Sequence, residues 1–250
     1  MSLRYLTKSR FQLALQCPAK LYYDGKPEYA NQKLEDEFLA SLAEGGFQVG
    51  ALARCYFPEG ILIDSKDPEE ALKQTAELLK LENVTIFEAA FRFGNLFIRA
   101  DILVKRGNHL ELTEVKAKSY DPRSDCFLTR SGSISAGWSE YLYDVAFQKH
   151  VIKSACPEFK VSAYLMMADK SAKCPTDGFN QKFRIAKDEE GRKKVMISSG
   201  LTKEDLDPPI LTKACVDDCC ALIFEEGFET DTEAMSFSDY VNMLADCYVR

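Results

Sequence analysis

Val84-Thr-Ile-Phe-Glu-Ala-Ala-Phe-Arg-Phe93, Leu96-Phe-Ile-Arg-Ala-Asp-Ile-Leu-Val-Lys105 and His109-Leu-Glu-Leu-Thr-Glu-Val-Lys-Ala-Lys118 are three consecutive segments rich in β-branched and aromatic residues. Gly94-Asn95 separates the first two, and Gly107-Asn108 precedes the third. Gly/Asn pairs supply the positive φ that a tight hairpin turn needs, so the run reads as three antiparallel strands in succession. Upstream the period is helical. Residues 7–23 open with hydroxyl residues suited to an N-cap, and Pro18 starts a second turn. Residues 33–54 predict a longer helix that Gly45-Gly46 breaks in the middle, and 68–80 a third, opening on Pro68, Glu69 and Glu70. Downstream, residues 138–154 return to helical spacing and 159–167 form a short buried strand. Residues 170–210 are polar and punctuated by Pro and Gly, hence loop with an edge hairpin near 182–197. The expectation is an α/β fold: a mixed central sheet, made of an antiparallel meander plus a further strand, flanked by helices. Residues 1–170 form its core with an N-terminal helical region. Residues 171–250 add a polar loop region and an acidic C-terminal helical extension of the same domain.

The 250 residues suit one large domain. A hydrophobic share of 46% with 28% charged residues excludes disordered and fibrous classes. No apolar run approaches the roughly 18 residues of a membrane span, and the start lacks the apolar core of a signal peptide. A cytoplasmic protein with no membrane partner is expected. The net charge of −7 is uneven. Residues 201–250 hold three basic and twelve acidic side chains, leaving the first 200 residues at +2. The acidic total therefore leaves room for a polyanion partner. Nine cysteines, an odd number without a secretion signal, read as reduced thiols. Cys215-Val-Asp-Asp-Cys219-Cys220 lacks the C-x2-C spacing of structural zinc and has no histidine nearby.

Chemistry concentrates between residues 88 and 116. Alternation puts Glu114 and Lys116 on one face of the third strand with Val115 facing away. The short connection from Val104 to Leu110 sets Asp101 beside Glu114. Adjacent carboxylates are costly without a cation, and Mg²⁺ or Mn²⁺, hard ions that take one or two carboxylates and several waters, would resolve that cost. Each residue also has a plainer reading. Asp101 fits a strand-end turn and Glu114 with Lys116 a solvated face, but Ile98, Ala100, Ile102 and Val104 make an acid at 101 expensive. Trp138 suits core packing or a stacked base, and His109 and His150 suit the surface.

Asp101…Glu114-Val115-Lys116 resembles the core motif of the PD-(D/E)XK nuclease superfamily in its D…E-x-K form. The opening Ser9-Arg10-Phe11…Gln16-Cys17-Pro18-Ala19-Lys20-Leu21-Tyr22 and the segment Asp144-Val-Ala-Phe-Gln148 are similar to the RecB-type exonuclease branch, which includes the CRISPR-associated four-cysteine exonucleases. The resemblance covers roughly residues 7–170 and implies a restriction-endonuclease-like fold. It implies that Asp101, Glu114 and the Val115 carbonyl bind the metal, that Lys116 is catalytic, and that Gln148 positions water or phosphate. Glu44 is the candidate for the acid that the family places on a helix before the sheet, as both metal ligand and catalytic residue. Glu88 points at the same edge. Lys118, Arg123 and Lys149, with Arg130 and Lys153, would contact nucleic-acid phosphates or form a solvated face.

The chain departs from the family twice. The tyrosine usual four residues after the glutamine is Ile152, leaving Tyr141 or Tyr143 to supply its contacts. Cys17 stands where a cluster-binding cysteine would, but Cys215, Cys219, Cys220 and Cys247 lack the usual spacing, so an iron–sulfur cluster is not the expectation. The function expected is a metal-dependent nuclease, a DNA exonuclease hydrolysing phosphodiester bonds in single- or double-stranded DNA. The alternatives are a nuclease-like module that holds nucleic acid or protein without cutting, and a small-molecule enzyme using a thiol such as Cys126. The Met-Ser-Leu start and the Arg250 end read as boundaries within a longer protein whose other domains would be partners.

Overall fold

Local sequence sets most element boundaries. The computed structural model describes residues 4–26, 28–29, 37–187, 193–230 and 233–249. In chain order these form α1 (Lys8–Gln16), α2 (Lys20–Tyr23), α3 (Glu37–Cys55), β1 (Ile61–Leu62), α4 (Pro68–Leu78), β2 (Asn83–Phe93), β3 (Leu96–Arg106), β4 (His109–Tyr120), α5 (Ser139–Ala155), β5 (Lys160–Asp169), β6 (Phe183–Lys187), β7 (Lys193–Ile197), β8 (Leu211–Cys215), α6 (Asp217–Glu226), β9 (Phe228–Glu229), β10 (Ala234–Met235) and α7 (Phe237–Val249). Asp67 caps α4 by accepting the Glu69 N–H at 2.9 Å, ahead of Pro68 at the first helical position. Thr7 stands at the N-cap of α1 without a side-chain cap bond. Packing anchors that helix instead: Phe11 stacks on Phe147 of α5 with ring centroids 4.7 Å apart.

The meander forms as its alternation requires. β2 and β3 pair antiparallel from Asn83↔Arg106 to Phe93↔Leu96, and Gly94 turns the hairpin at φ +54°. β3 and β4 pair from Arg106↔His109 only as far as Ile102↔Thr113. Beyond that point the two strands part, at Asp101 and Glu114. α5 then carries the chain across the sheet so that β5 runs parallel to β4, as a helical crossover allows.

The six-stranded sheet has the order β1-β2-β3-β4-β5-β8, mixed in direction and flanked by helices. Two of its strands escaped sequence reading. β1 has only two residues, and β8, just after the stretch expected to be loop, has five without clean alternation. The C-terminal region therefore supplies an edge of the central sheet. The expected hairpin near 182–197 exists as β6–β7, but as a separate two-stranded sheet packed against α3. One face of the central sheet buries Phe11, Phe147, Leu103, Leu112 and Ile152. The other buries Ala51, Leu52 and Ala53 of α3 against Ile102, Val104 and Met166. No helix among the described residues is long and apolar enough to cross a membrane.

The expected break at Gly45-Gly46 does not occur; α3 runs through both glycines. Glycine costs about 1 kcal/mol per helix position relative to alanine, and burial of Ala51, Leu52 and Ala53 outweighs it. What these glycines leave is space: among the described residues no heavy atom lies within 4 Å of where a Cβ would stand on Gly46 or Gly50. Gly46→Ala and Gly50→Ala are each expected to stabilise the fold by about 0.5–1 kcal/mol. Denaturant unfolding of each variant measures that gain.

Candidate active site

Where β3 and β4 part, side chains take over from the ladder. The Val115 N–H donates to Asp101 Oδ2 at 2.8 Å, so a carboxylate stands where a strand carbonyl would have paired. Glu114 is 1% exposed and faces α5. That helix presents Asp144 and Gln148, one turn apart and both buried, toward β4. Gln148 Nε2 donates to Glu114 Oε2 at 2.8 Å and to Asp144 Oδ1 at 3.1 Å. Its Oε1 is buried without a partner among the described residues. Lys116 Nζ sits between Glu114 Oε1 at 2.7 Å and Asp144 Oδ2 at 2.6 Å.

A second lysine completes the group. Lys8, the first residue of α1, places Nζ 3.2 Å from Asp101 Oδ1 and 3.0 Å from each oxygen of Glu114. Its backbone is fixed from both sides. Leu6 bonds the hairpin through Asn95 and Phe97, and Phe11 is locked in the core. Asp101, Glu114, Lys116 and Gln148 are thus brought together as expected, with Lys8 and Asp144 added. Asp144 was findable, because it lies four residues before Gln148 on one helix face. Lys8 carries no local signal; a lysine opening a helix reads as surface.

Mutual charge sets the protonation states. Burial pushes the Asp101 carboxyl up, the Glu114 charge adds to that, and Lys8 opposes it, leaving a pKa of about 7. Burial also raises Glu114, but Lys8 and Lys116 outweigh it and hold that carboxyl well below its usual range. Asp144 is raised, by burial and then by Glu114. Burial would lower Lys116, yet Glu114 and Asp144 prevail and hold the ammonium above its ordinary value. Lys116 therefore stays cationic. As a cation it is suited to offsetting negative charge nearby.

Asp101 opens on a groove of about 230 Å³ lined also by Gly46, Phe47, Gly50, Arg54, Glu88, Ile102 and Val115, while Glu114 stays buried against α5. The glycine stripe of α3 is what leaves the groove open. Glu88 stands opposite Asp101 in the β2–β3 register, between the pairs Phe87↔Ile102 and Ala89↔Ala100, with φ +58°. A non-glycine residue held there inside a strand is strained by about 1–2 kcal/mol. Its carboxylate also lies 3.5 Å from Arg99 Nε. After Lys116 the β4–β5 register shifts, leaving Ala117 and Lys118 outside the ladder. Bulges of this kind re-aim side chains beside sites.

The residues fit a hard divalent ion. Asp101 and Glu114 converge on one point that an ammonium now holds, and two carboxylates with waters satisfy Mg²⁺ or Mn²⁺. Among the described residues no group of three or more His, Cys, Asp or Glu side chains is gathered for a metal. Val115 contributes its N–H to Asp101.

Other expected residues fall elsewhere. Glu44 is not brought to the pair: it lies roughly 160° around α3 from Gly46 and pairs with Lys193 of β7 at 2.8 Å. Lys149 is no phosphate contact, being 8% exposed and bound to Asp217 of α6 at 2.6 Å. Lys118 lies 4.7 Å over Trp138 and 5.1 Å over Tyr141, while Tyr143 packs on Phe228. Ile152 is fully buried core. Arg123, Arg130 and Lys153 are exposed. His109 shares a hydrogen bond with Ser162 at 2.8 Å, and His150 is half-buried beside Phe237. Cys219 and Cys220 face the core, their thiols pushed up by burial to about 11 and about 12, whereas Cys17, Cys126, Cys215 and Cys247 are exposed.

Comparison of the chain with protein-family models, with curated proteins and with solved structures finds no match.

Two measurements follow. Asp101 binds a proton in the fold up to about pH 7, against 3.8 ordinarily. The cost of ionising it is therefore complete above pH 7 and disappears as pH falls toward 4. Asp101→Asn is expected to raise the melting temperature of metal-free protein at pH 8, with the gain vanishing near pH 4. Lys149→Met is expected to cost about 1–3 kcal/mol by stripping Asp217 of its cation, and to leave DNA affinity unchanged in a filter-binding titration.

Proposed function

We propose that the chain is a divalent-metal-dependent nuclease that hydrolyses phosphodiester bonds in DNA, acting as an exonuclease in line with its resemblance to RecB-type PD-(D/E)XK enzymes. One observation carries this reading: Asp101 and Glu114 aim oxygens at a single cation position, and Lys116 lies 2.7 Å from Glu114 beside it. Asp101 and Glu114 would hold the ion. When bound, it polarises a phosphoryl oxygen and activates water for attack. The chain's own groups do the rest. The Val115 N–H fixes the Asp101 rotamer, and Gln148 fixes that of Glu114. Asp144 holds Lys116 toward the pair, where its ammonium meets the charge that builds on the phosphate. Arg54 in the groove, with Lys118 and Arg123 beyond the β4 bulge, supplies cations for flanking phosphates.

A second reading has one observation in its favour. Lys8 already pairs with both acids, as a nucleic-acid-binding or protein-binding module that does not cut would require. Cleavage decides between them. With end-labelled single- and double-stranded DNA and Mn²⁺, the full chain is expected to yield products shortening from one end. Lys116→Ala should lose at least about 100-fold in rate. Intact DNA with every divalent ion, bound but uncut, would select the binding module.

A further inference from the structure

The position between Asp101 and Glu114 is filled by a side chain of unusual commitment. Lys8 Nζ meets three carboxylate oxygens at 3.0–3.2 Å, from two different strands. The lysine is only 26% exposed, and its backbone is pinned by the Leu6 bonds to the hairpin and by Phe11 in the core. As the first residue of α1 it also brings the positive end of that helix toward the pair. Charge arithmetic shows what this arrangement lacks. Asp101, Glu114 and Asp144 carry three negative charges when ionised, and Lys8 with Lys116 supplies two positive ones. With all five groups ionised, as above pH 7, the cluster is one charge short of neutral. Exchanging the Lys8 ammonium for a divalent ion closes that gap.

We infer that Lys8 is a resident counter-ion of the metal position, which a divalent cation must displace to load the site. The inference rests on reading Asp101 and Glu114 as metal ligands. In the metal-free chain Lys8 keeps two closely spaced carboxylates from repelling each other in a half-buried setting. On loading, the backbone of α1 stays where Leu6 and Phe11 hold it, and only the flexible lysine stem swings away. Metal and ammonium compete for the same oxygens, so each weakens the other's hold. Lys8 acts through those oxygens and is a positioning residue.

Calorimetric titration of Mn²⁺ into the full chain tests the competition. Lys8→Met is expected to bind Mn²⁺ about tenfold more tightly than the unaltered protein, within the usual range of coupling between two sites. Lys8→Gln, which keeps a hydrogen-bond donor but no charge, should show the same direction and covers the case in which Lys8→Met fails to fold. Equal or weaker binding by a folded variant overturns the inference. The second readout is made on the unaltered chain, in which no charge has been deleted. Labelling of amines with an N-hydroxysuccinimide ester, quantified by peptide mass spectrometry, should increase severalfold at Lys8 on saturation with Mn²⁺. Unchanged labelling at Lys8 in protein that calorimetry shows to be loaded overturns displacement. Absence of Mn²⁺ binding by the unaltered chain and both Lys8 variants would instead remove the metal-ligand reading itself.

Discussion

The structure depends on how three carboxylates, two of them buried and the third at the edge of a groove, are held close together. Glu114 and Asp144 are each 1% exposed, and Asp101 lies beside them. Taking an ion out of water costs several kcal/mol even after relaxation, and removing one partner of a buried pair costs about 3–5 kcal/mol. The chain meets this with two lysines and one glutamine, each touching two acids. Lys116 joins Glu114 to Asp144, Lys8 joins Asp101 to Glu114, and Gln148 spans Glu114 and Asp144. These shared contacts fix the orientations of Glu114, Asp144 and Gln148 relative to one another.

The fold delivers these groups from four separate elements. β3 and β4 pair as far as Ile102↔Thr113 and then diverge, so Asp101 and Glu114 stand at the mouth of a fork instead of inside a ladder. α5, a crossover required by the parallel β4–β5 pairing, lays Asp144 and Gln148 over that fork. α1 closes it with Lys8. α3 passes on the other side with Gly46 and Gly50 toward Asp101, so the groove stays open where a larger residue would fill it. The strained Glu88, directly across from Asp101, belongs to the same place. Strain in a strand interior is tolerated where surrounding structure fixes it, and here it turns another carboxylate toward the groove.

Much of this was legible in the residues. The meander from β2 to β4 followed from alternation and two Gly/Asn turns, because strand period and turn chemistry are local properties. The adjacency of Asp101 and Glu114 followed from the short β3–β4 connection. What was not legible depended on distant packing. Lys8 reaches Asp101 across 93 positions of the chain, and nothing around Lys8 announces it. Glu44 was chosen for its place before the glycines, but helical geometry turns it toward Lys193. Lys149 looked like a surface cation until Asp217, 68 residues later, took it as a buried partner. The strand β8 was hidden because five residues at a sheet edge, half-buried on both faces, show no period. Glycine propensity misled at Gly45-Gly46 because docking of the last turns of α3 on the sheet outweighed it.

The central claim is that Asp101 and Glu114 define one cation position. Anomalous X-ray diffraction from crystals of the full chain grown with Mn²⁺ tests it most directly. One anomalous peak is expected within bonding distance of both the Asp101 and the Glu114 carboxylates, with the Lys8 ammonium moved off the pair. Crystals that show Lys8 still bridging the two carboxylates, with no manganese between them at saturating concentration, would contradict it.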